Sequence, residues 1–395
     1  MSNKKYFNSF LASPNKNPIG LEIEKAYGSY IYTKKRKILD FVSGVSVCPL
    51  GHNNKKINSA VLKQIKQHAH VMVYGEFIQK TQIELAKTIL KPFPKKLNSL
   101  YFVNSGTESI EAAIKLAKKA TNRYEIISCQ NSYHGSTTGS LSVWGNEKNK
   151  NPFRPLMPGI KHIKFNNINS ITKITEKTAA IIIEPIQSAT GFITPRNNYL
   201  KLIRKRCNET KTILIFDEIQ SCYGRTGEMF GFQKYKVNPD VLCLAKGFGC
   251  GYPLGAFISS KTLMNKLNHK PEFGHITTFG GNPISCAASI AGYTEINKTS
   301  FLNDVIKKGE IIKKLLKHKL IKQVHGEGLM IGVKFYDSRI ADEVIKKCLK
   351  KNLLLFSFLS TSKAIRISPP LNIKKSEIIQ GCKIILNELK KMASM

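Results

Sequence analysis

The chain has 395 residues, 42% of them hydrophobic, which is long for one domain, ordinary for two, and ample for a sizeable core. Its composition excludes a collagen-like, disordered or repeat architecture, and apolar stretches such as AAIIIEP and LIFD are far too short to span a bilayer. A formal net charge of +36 raises nucleic-acid binding, but only nine of the 62 basic residues are arginine, the side chain suited to phosphate and base edges.

Taken in chain order, MSNKKYFNSFLASPNKNPIG lacks the uninterrupted apolar run of a secretory signal, so none is expected. YGSYIYTKKRKILDFVSG predicts a hairpin-like element. SLYFVNSG (99–106) reads as a strand entering a turn, and TESIEAAIKLAKKAT follows with Ile110, Ala113, Ile114 and Ala117 on one helical face. EIISC (125–129), AAIIIEP (179–185), TILIFDE (212–218) and DVLCLAK (240–246) are short Ile/Val/Leu runs separated by helix-length segments. Such near-continuous apolar strands predict a mostly parallel sheet covered on both faces, hence an α/β domain. Beyond residue 300, amphipathic lysine-rich helices (302–318, 338–351, 375–392) flank GEGLMIGVKF and AIRISPPL, a smaller α+β domain. The expected division is 1–50 joining the small domain, 51–297 as the large domain and 298–395 as the small one.

Nine cysteines run from Cys48 to Cys382 without a CxxC pair, which fits a reducing cytosol rather than a disulfide framework or zinc module. Lysine, asparagine and isoleucine are jointly abundant, as AT-rich codons would supply. A solvated lysine-rich surface is therefore the simpler reading of the charge, with polyanion binding as its rival.

Ligands of open α/β sheets bind beyond the carboxyl ends of the strands, where NSGTES, DEIQ and AKG all fall. Gly106 permits a tight turn, and the helix starting there points free N–H groups outward, an anion site. Ser105 or Thr107 as a helix cap is the alternative. Asp217 ends an apolar strand, and a buried acid needs a partner. Lys246 closes another apolar strand, where desolvation would lower its pKa and make its amine nucleophilic. An ordinary Asp217–Lys246 ion pair fits those residues equally well.

NSGTES, SYHG, IIEPIQ, LIFDEIQ with GRTG, LAKG with GYPLGA, and TTFGGNP occur in order and together resemble class III aminotransferases. These are pyridoxal-phosphate enzymes of fold type I acting on terminal amines, and the likeness runs from about residue 20 to RISPPL near 370. The resemblance implies that Lys246 carries pyridoxal 5'-phosphate as a Schiff base and that Asp217 faces the pyridine nitrogen. It implies that Gln220 lies near the phenolic oxygen, and that Ile219 and Tyr133 pack on the two ring faces. Ser105, Gly106 and Thr107 would cradle the phosphate, joined by Thr278 from a partner subunit, so a homodimer is implied. Glu184 and Arg366 match a substrate-mouth pair in which the arginine takes a carboxylate and the glutamate masks it; Thr277 and Ser136 would also meet substrate.

Two places depart from the family pattern. Ser136 stands where arginine usually follows the motif histidine by two, and Ser188-Ala189-Thr190 replaces a GEGG-like continuation. The expected activity is a cytosolic ω-aminotransferase moving an amino group between an acylated ornithine-like amine and 2-oxoglutarate, in arginine or lysine biosynthesis. Acetylornithine is the expected amine, with succinyl-diaminopimelate beside it. The alternatives are a 7,8-diaminopelargonate-forming enzyme, a pyruvate-linked transaminase, or an aminomutase.

Overall fold

A computed structural model describes residues 3–394. The apolar runs become strands of a seven-stranded sheet: β1 (Ser99–Val103), β2 (Glu125–Cys129), β3 (Ile160–Ile163), β4 (Thr178–Ile183), β5 (Ile213–Asp217), β6 (Val241–Leu244) and β7 (Gly255–Ser259). Their spatial order is β1-β7-β6-β5-β4-β2-β3. β7 runs antiparallel to both neighbours, and the remaining pairs are parallel. β2, β4, β5 and β6 are buried at every residue, which is why they read as unbroken apolar runs rather than as alternation. Two strands were not expected. β3 is a short edge strand with a mixed IKHI pattern, and β7 lies just behind the glycine-rich loop, which disguises it.

The helix following β1, α1 (Gly106–Thr121), buries Ile110, Ala113, Ile114 and Ala117 on the expected face. At roughly 25 cal/mol per Å² of apolar area removed from water, each isoleucine contributes about 2–3 kcal/mol. Ser105 caps α1, its Oγ accepting from the Glu108 N–H at 3.3 Å, a contribution of about 1 kcal/mol. Asn122 ends it in the left-handed conformation at φ 54°.

A second, antiparallel sheet joins Ile321–Glu327, Met330–Phe335, Ala364–Ile367 and Phe356–Ser357 in that order. Helices Thr299–Leu315, Ser338–Lys350 and Lys375–Ala393 accompany it. The N-terminal strands Lys25–Tyr27, Tyr30–Tyr32 and Lys37–Asp40 form a third sheet, in which Leu39 and Asp40 pair in parallel with Leu353 and Leu354. After Asp40 the backbone turns left-handed, with φ of 47°, 62°, 64° and 66° at Ser43, Gly44, Val45 and Ser46. For residues other than glycine that conformation costs roughly 1–2 kcal/mol each, so surrounding contacts must hold it. Among the described residues no helix is long and apolar enough to cross a membrane, and all nine cysteines are free.

The topology brings the carboxyl ends of β1, β2, β4, β5 and β6 to one edge of the large sheet. Residues 105–107, 133–136, 184, 217–220 and 246 all emerge there.

Candidate active site

A cavity of about 660 Å³ opens at that edge, within the range usual for small-molecule sites. Its floor comes from the strand ends of the large sheet. Its walls come from Val45 of the left-handed turn and Val47 just after it, and from Phe356, Phe358, Leu359 and Arg366 in and beside the small sheet. Every site residue expected from the sequence lines it except Thr277 and Thr278. Those two lie in the 274–281 segment, where Thr278 is exposed, 3.5 Å from the Tyr74 hydroxyl, and Thr277 Oγ1 is buried without a partner.

Asp217 ends β5 and is almost wholly buried. Its Oδ1 accepts from the Ile219 N–H at 3.0 Å, and its Oδ2 lies 2.7 Å from Nδ1 of fully buried His134. The partner that a buried acid needs is His134 of SYHG, a residue the sequence reading does not single out. Burial acts to lower the His134 pKa, but the Asp217 hydrogen bond and charge, with Glu184, raise it overall. The hydrogen bond orients the Asp217 carboxyl group. The neighbouring acid faces elsewhere: Glu218 accepts from the Gly231 and Phe232 N–H groups and pins the loop beyond.

Lys246 follows β6 with φ 49°, a left-handed conformation at a non-glycine residue. Among the described residues no Lys246–Asp217 ion pair forms, since Asp217 is engaged by His134. Burial pulls the Lys246 pKa below the ordinary lysine value; Asp217 opposes this and the Arg366 cation assists it. The result is an amine poised to lose its proton, the state a nucleophile needs.

At the opposite end, Ser105 is engaged as the α1 cap, leaving the first N–H groups of α1 to the cavity. Gly106 gives Ile219 its place, because a Cβ there would lie 2.7 Å from Ile219 Cδ1 and push that side chain aside. Gly135, at φ 142°, leaves room for Thr107, whose Oγ1 sits 2.6 Å from the hydroxyls of Thr137 and Ser140. Tyr133 packs edge-on against Trp144 with centroids 4.9 Å apart, and its hydroxyl meets Ser136 Oγ at 2.9 Å.

Glu184 and Arg366 both reach the cavity and are not paired with each other in this structure. Glu184 Oε1 instead accepts from the Ser188 N–H at 2.9 Å, and Oε2 has no partner. The Arg366 guanidinium stacks over Phe358 at 4.9 Å and Phe192 at 5.5 Å, with Nε and Nη1 unpartnered. Burial lowers its pKa to about 10, so it stays cationic at neutral pH.

Burial, outweighing the His134 charge and aided by Asp217, pushes the Glu184 carboxyl from 4.5 up to about 7. Between those values the unfolded chain is ionised while the fold keeps the proton, so this group's contribution to stability falls as pH rises through that window. Glu184→Gln is expected to remove that slope. Melting temperatures of the cofactor-free proteins should diverge in the variant's favour between pH 4.5 and 7, and a constant difference would contradict a protonated Glu184.

Buried polar atoms rarely go unpaired, yet Glu184 Oε2, Gln220 Oε1, His134 Nε2 and two Arg366 nitrogens all do at this one cavity. They suit a polar, anionic ligand with an aromatic body. The donor set matches pyridoxal phosphate: helix N–H groups for a phosphate, an oriented acid for a ring nitrogen, an aromatic side chain for a ring face and an amine for an aldehyde.

A parallel-rich sheet of this strand order with such a constellation defines a pyridoxal-phosphate-dependent transferase of fold type I. Comparison with known proteins specifies it. The class-III aminotransferase family model matches residues 11–389. An acetylornithine aminotransferase of Caldanaerobacter subterraneus subsp. tengcongensis is 37% identical, covering 94% of each chain. One from Clostridium acetobutylicum is 38% identical over 93% of this chain and 96% of the other. A putrescine aminotransferase of Pectobacterium atrosepticum is 36% identical over 92% of this chain and 80% of its own length. Among solved structures, a transaminase from the marine bacterium Virgibacillus superposes with a TM-score of 0.92 at 25% identity, covering 99% of both chains. The chain belongs to the class III aminotransferases and is a pyridoxal-phosphate-dependent transaminase.

Proposed function

We propose that this enzyme transfers an amino group from the terminal amine of an acylated ornithine-like substrate, N-acetylornithine foremost, to 2-oxoglutarate. The observation that carries this reading is the convergence of Lys246, the His134-held Asp217 and an unmasked Arg366 on one cavity. When bound, pyridoxal phosphate supplies an aldehyde that takes up the amino group and a ring that withdraws the electrons left by proton removal. Lys246 Nζ acts first as the nucleophile that holds the cofactor. Once freed, it would take the proton from the amine-bearing carbon of the substrate and give one to the carbon that had borne the cofactor's aldehyde, and would run the same transfer in reverse onto the 2-oxo acid carbon in the second half-reaction. Asp217, its two oxygens held by His134 and the Ile219 N–H, would face the ring nitrogen. Tyr133 and Ile219 would pack against the ring, Gln220 would meet its phenolic oxygen, and the Gly106 and Thr107 N–H groups would hold the phosphate.

Thr278 completes that phosphate site in a homodimer, reaching a second copy. Support comes from its exposure amid Phe273, Ile276 and Phe279, and from Ile78, which is 94% exposed on a nearby segment. The large domain (51–297) holds the cofactor. The small one (1–50 with 298–395) supplies Val45 and Arg366. The nine free cysteines suit a reducing cytosol.

Arg366 grips the carboxylate of the 2-oxo acid. Arg366→Ala is expected to weaken the keto-acid half-reaction by about 10²-fold and the amine half-reaction much less. Single-turnover rates for each half check this, and equal losses would contradict it. A second reading is favoured by one observation: among the described residues Arg366 is the only guanidinium on the cavity wall, and Ser136 offers a hydroxyl in place of another. A pyruvate-type monocarboxylic acceptor then suffices. A panel of acetylornithine, succinyl-diaminopimelate, ornithine, 4-aminobutyrate and the 7,8-diaminopelargonate precursor, each against 2-oxoglutarate and pyruvate, separates the two. Glutamate formation from acetylornithine supports the first reading; alanine alone supports the second.

A further inference from the structure

The left-handed turn Ser43–Ser46 is an unusual way to present an active-site wall. Valine is branched at Cβ and resists the left-handed region, yet Val45 adopts φ 64°, ψ 52° there and lines the cavity. The turn is held from three sides. Asp40, wholly buried, accepts from the Val42 and Ser43 N–H groups at 2.8 and 3.0 Å through Oδ1, and binds His52 Nε2 at 2.8 Å through Oδ2. Ser43 Oγ donates to the Ser368 carbonyl at 2.7 Å, two residues beyond Arg366. The Ser46 carbonyl packs close to Gly247, the residue after Lys246, where a Cβ would lie 3.5 Å away. Strain over-determined in this way beside a catalytic lysine signals function rather than accident.

We propose that the Asp40–His52 pair is a positioning device: by holding Ser43–Ser46 left-handed it sets Val45 as the wall that limits the bulk of the amine admitted. The pair touches neither cofactor nor substrate and acts through the turn. His52 lies 12 residues along the chain from Asp40, with its side chain 16% exposed, and it lines a cavity other than the active-site one. Its loss frees one carboxylate oxygen of Asp40 inside a buried site and loosens the N–H contacts that wind the turn. Ser46 supplies an independent handle. It is strained at φ 66°, its hydroxyl is buried without a partner, and it does not line the cavity. Glycine there removes both the strain and the orphan hydroxyl.

The inference rests on the aminotransferase reading and is tested on the cofactor-loaded enzyme with two N-acylornithines, acetyl and trimethylacetyl, by the ratio of their kcat/KM values. Val45→Ala is expected to raise the bulky-to-small ratio by about tenfold, the scale of one or two methyl groups in a pocket. His52→Ala is expected to shift the ratio in the same direction, mainly through KM, with the cofactor's visible absorbance retained. Adding Ser46→Gly to His52→Ala should return the ratio toward the wild-type value and raise the melting temperature. An unchanged ratio in Val45→Ala or in loaded His52→Ala overturns the proposal, as does a double variant that is not rescued. Should His52→Ala fail to fold, Ser46→Gly alone must still raise the melting temperature, and a fall refutes the strain on which the proposal stands. Wild-type protein that transaminates neither acylornithine would instead strike down the substrate reading.

Discussion

Lys246→Ala protein folds but does not transaminate. The chain is crowded with lysines, yet no other described lysine lines the cavity, so no neighbour can substitute. The substitution removes the nucleophile and the proton carrier together. Turnover should fall by roughly 10⁴-fold or more, at or beyond the upper end of what a positioned proton-transfer group contributes. The visible absorbance of covalently held cofactor should vanish, while the far-ultraviolet circular dichroism stays that of the wild type, since Lys246 lies in a short 3-10 turn outside the sheet. Turnover within tenfold of the wild type would remove Lys246 from the chemistry.

Asp217→Asn should separate cofactor binding from cofactor activation. The amide keeps the volume of the carboxylate and can still accept from the Ile219 N–H, so the ring keeps its seat. What goes is the charge, and with it the main upward influence on the His134 pKa, because the Asp217 hydrogen bond and charge are what raise it against burial. A neutral amide cannot favour a protonated ring nitrogen, so proton abstraction slows. We expect kcat to drop about 10²–10³-fold, the scale of losing one oriented electrostatic group in a water-excluded site, with KM changed far less. Stopped-flow measurement of the amine half-reaction checks this. Unaltered rates would mean that the acid does not tune the ring.

Much of this was legible in the sequence because parallel strands advertise themselves as apolar runs and end where the chemistry begins. Asp217 and Lys246 could be singled out as ionisable residues terminating such runs. His134 could have been found as well: a buried carboxylate demands a donor, and SYHG supplies one, but attention went to its tyrosine. Strands β3 and β7 escaped because one is a four-residue edge strand with two polar residues at its centre and the other begins at the end of a loop rich in glycine. The left-handed turn was beyond local reading altogether. Ser-Gly-Val-Ser carries no signal for four consecutive positive φ angles; Ser368, 325 residues away, and Arg225 help impose it through Ser43 Oγ. The unpaired state of Arg366 was hidden for a related reason, since only the fold reveals that Glu184 turns to the Ser188 N–H and that the phenyl rings of Phe192 and Phe358 flank the guanidinium.

The most direct test of the account is chemical. Treating the cofactor-loaded enzyme with borohydride and mapping its peptides by mass spectrometry should find a reduced pyridoxyl-phosphate adduct on Lys246, in the peptide containing VLCLAKGFGCGY, and on no other lysine in comparable yield. An adduct carried mainly by a different lysine, or none at all in protein that transaminates, would contradict it.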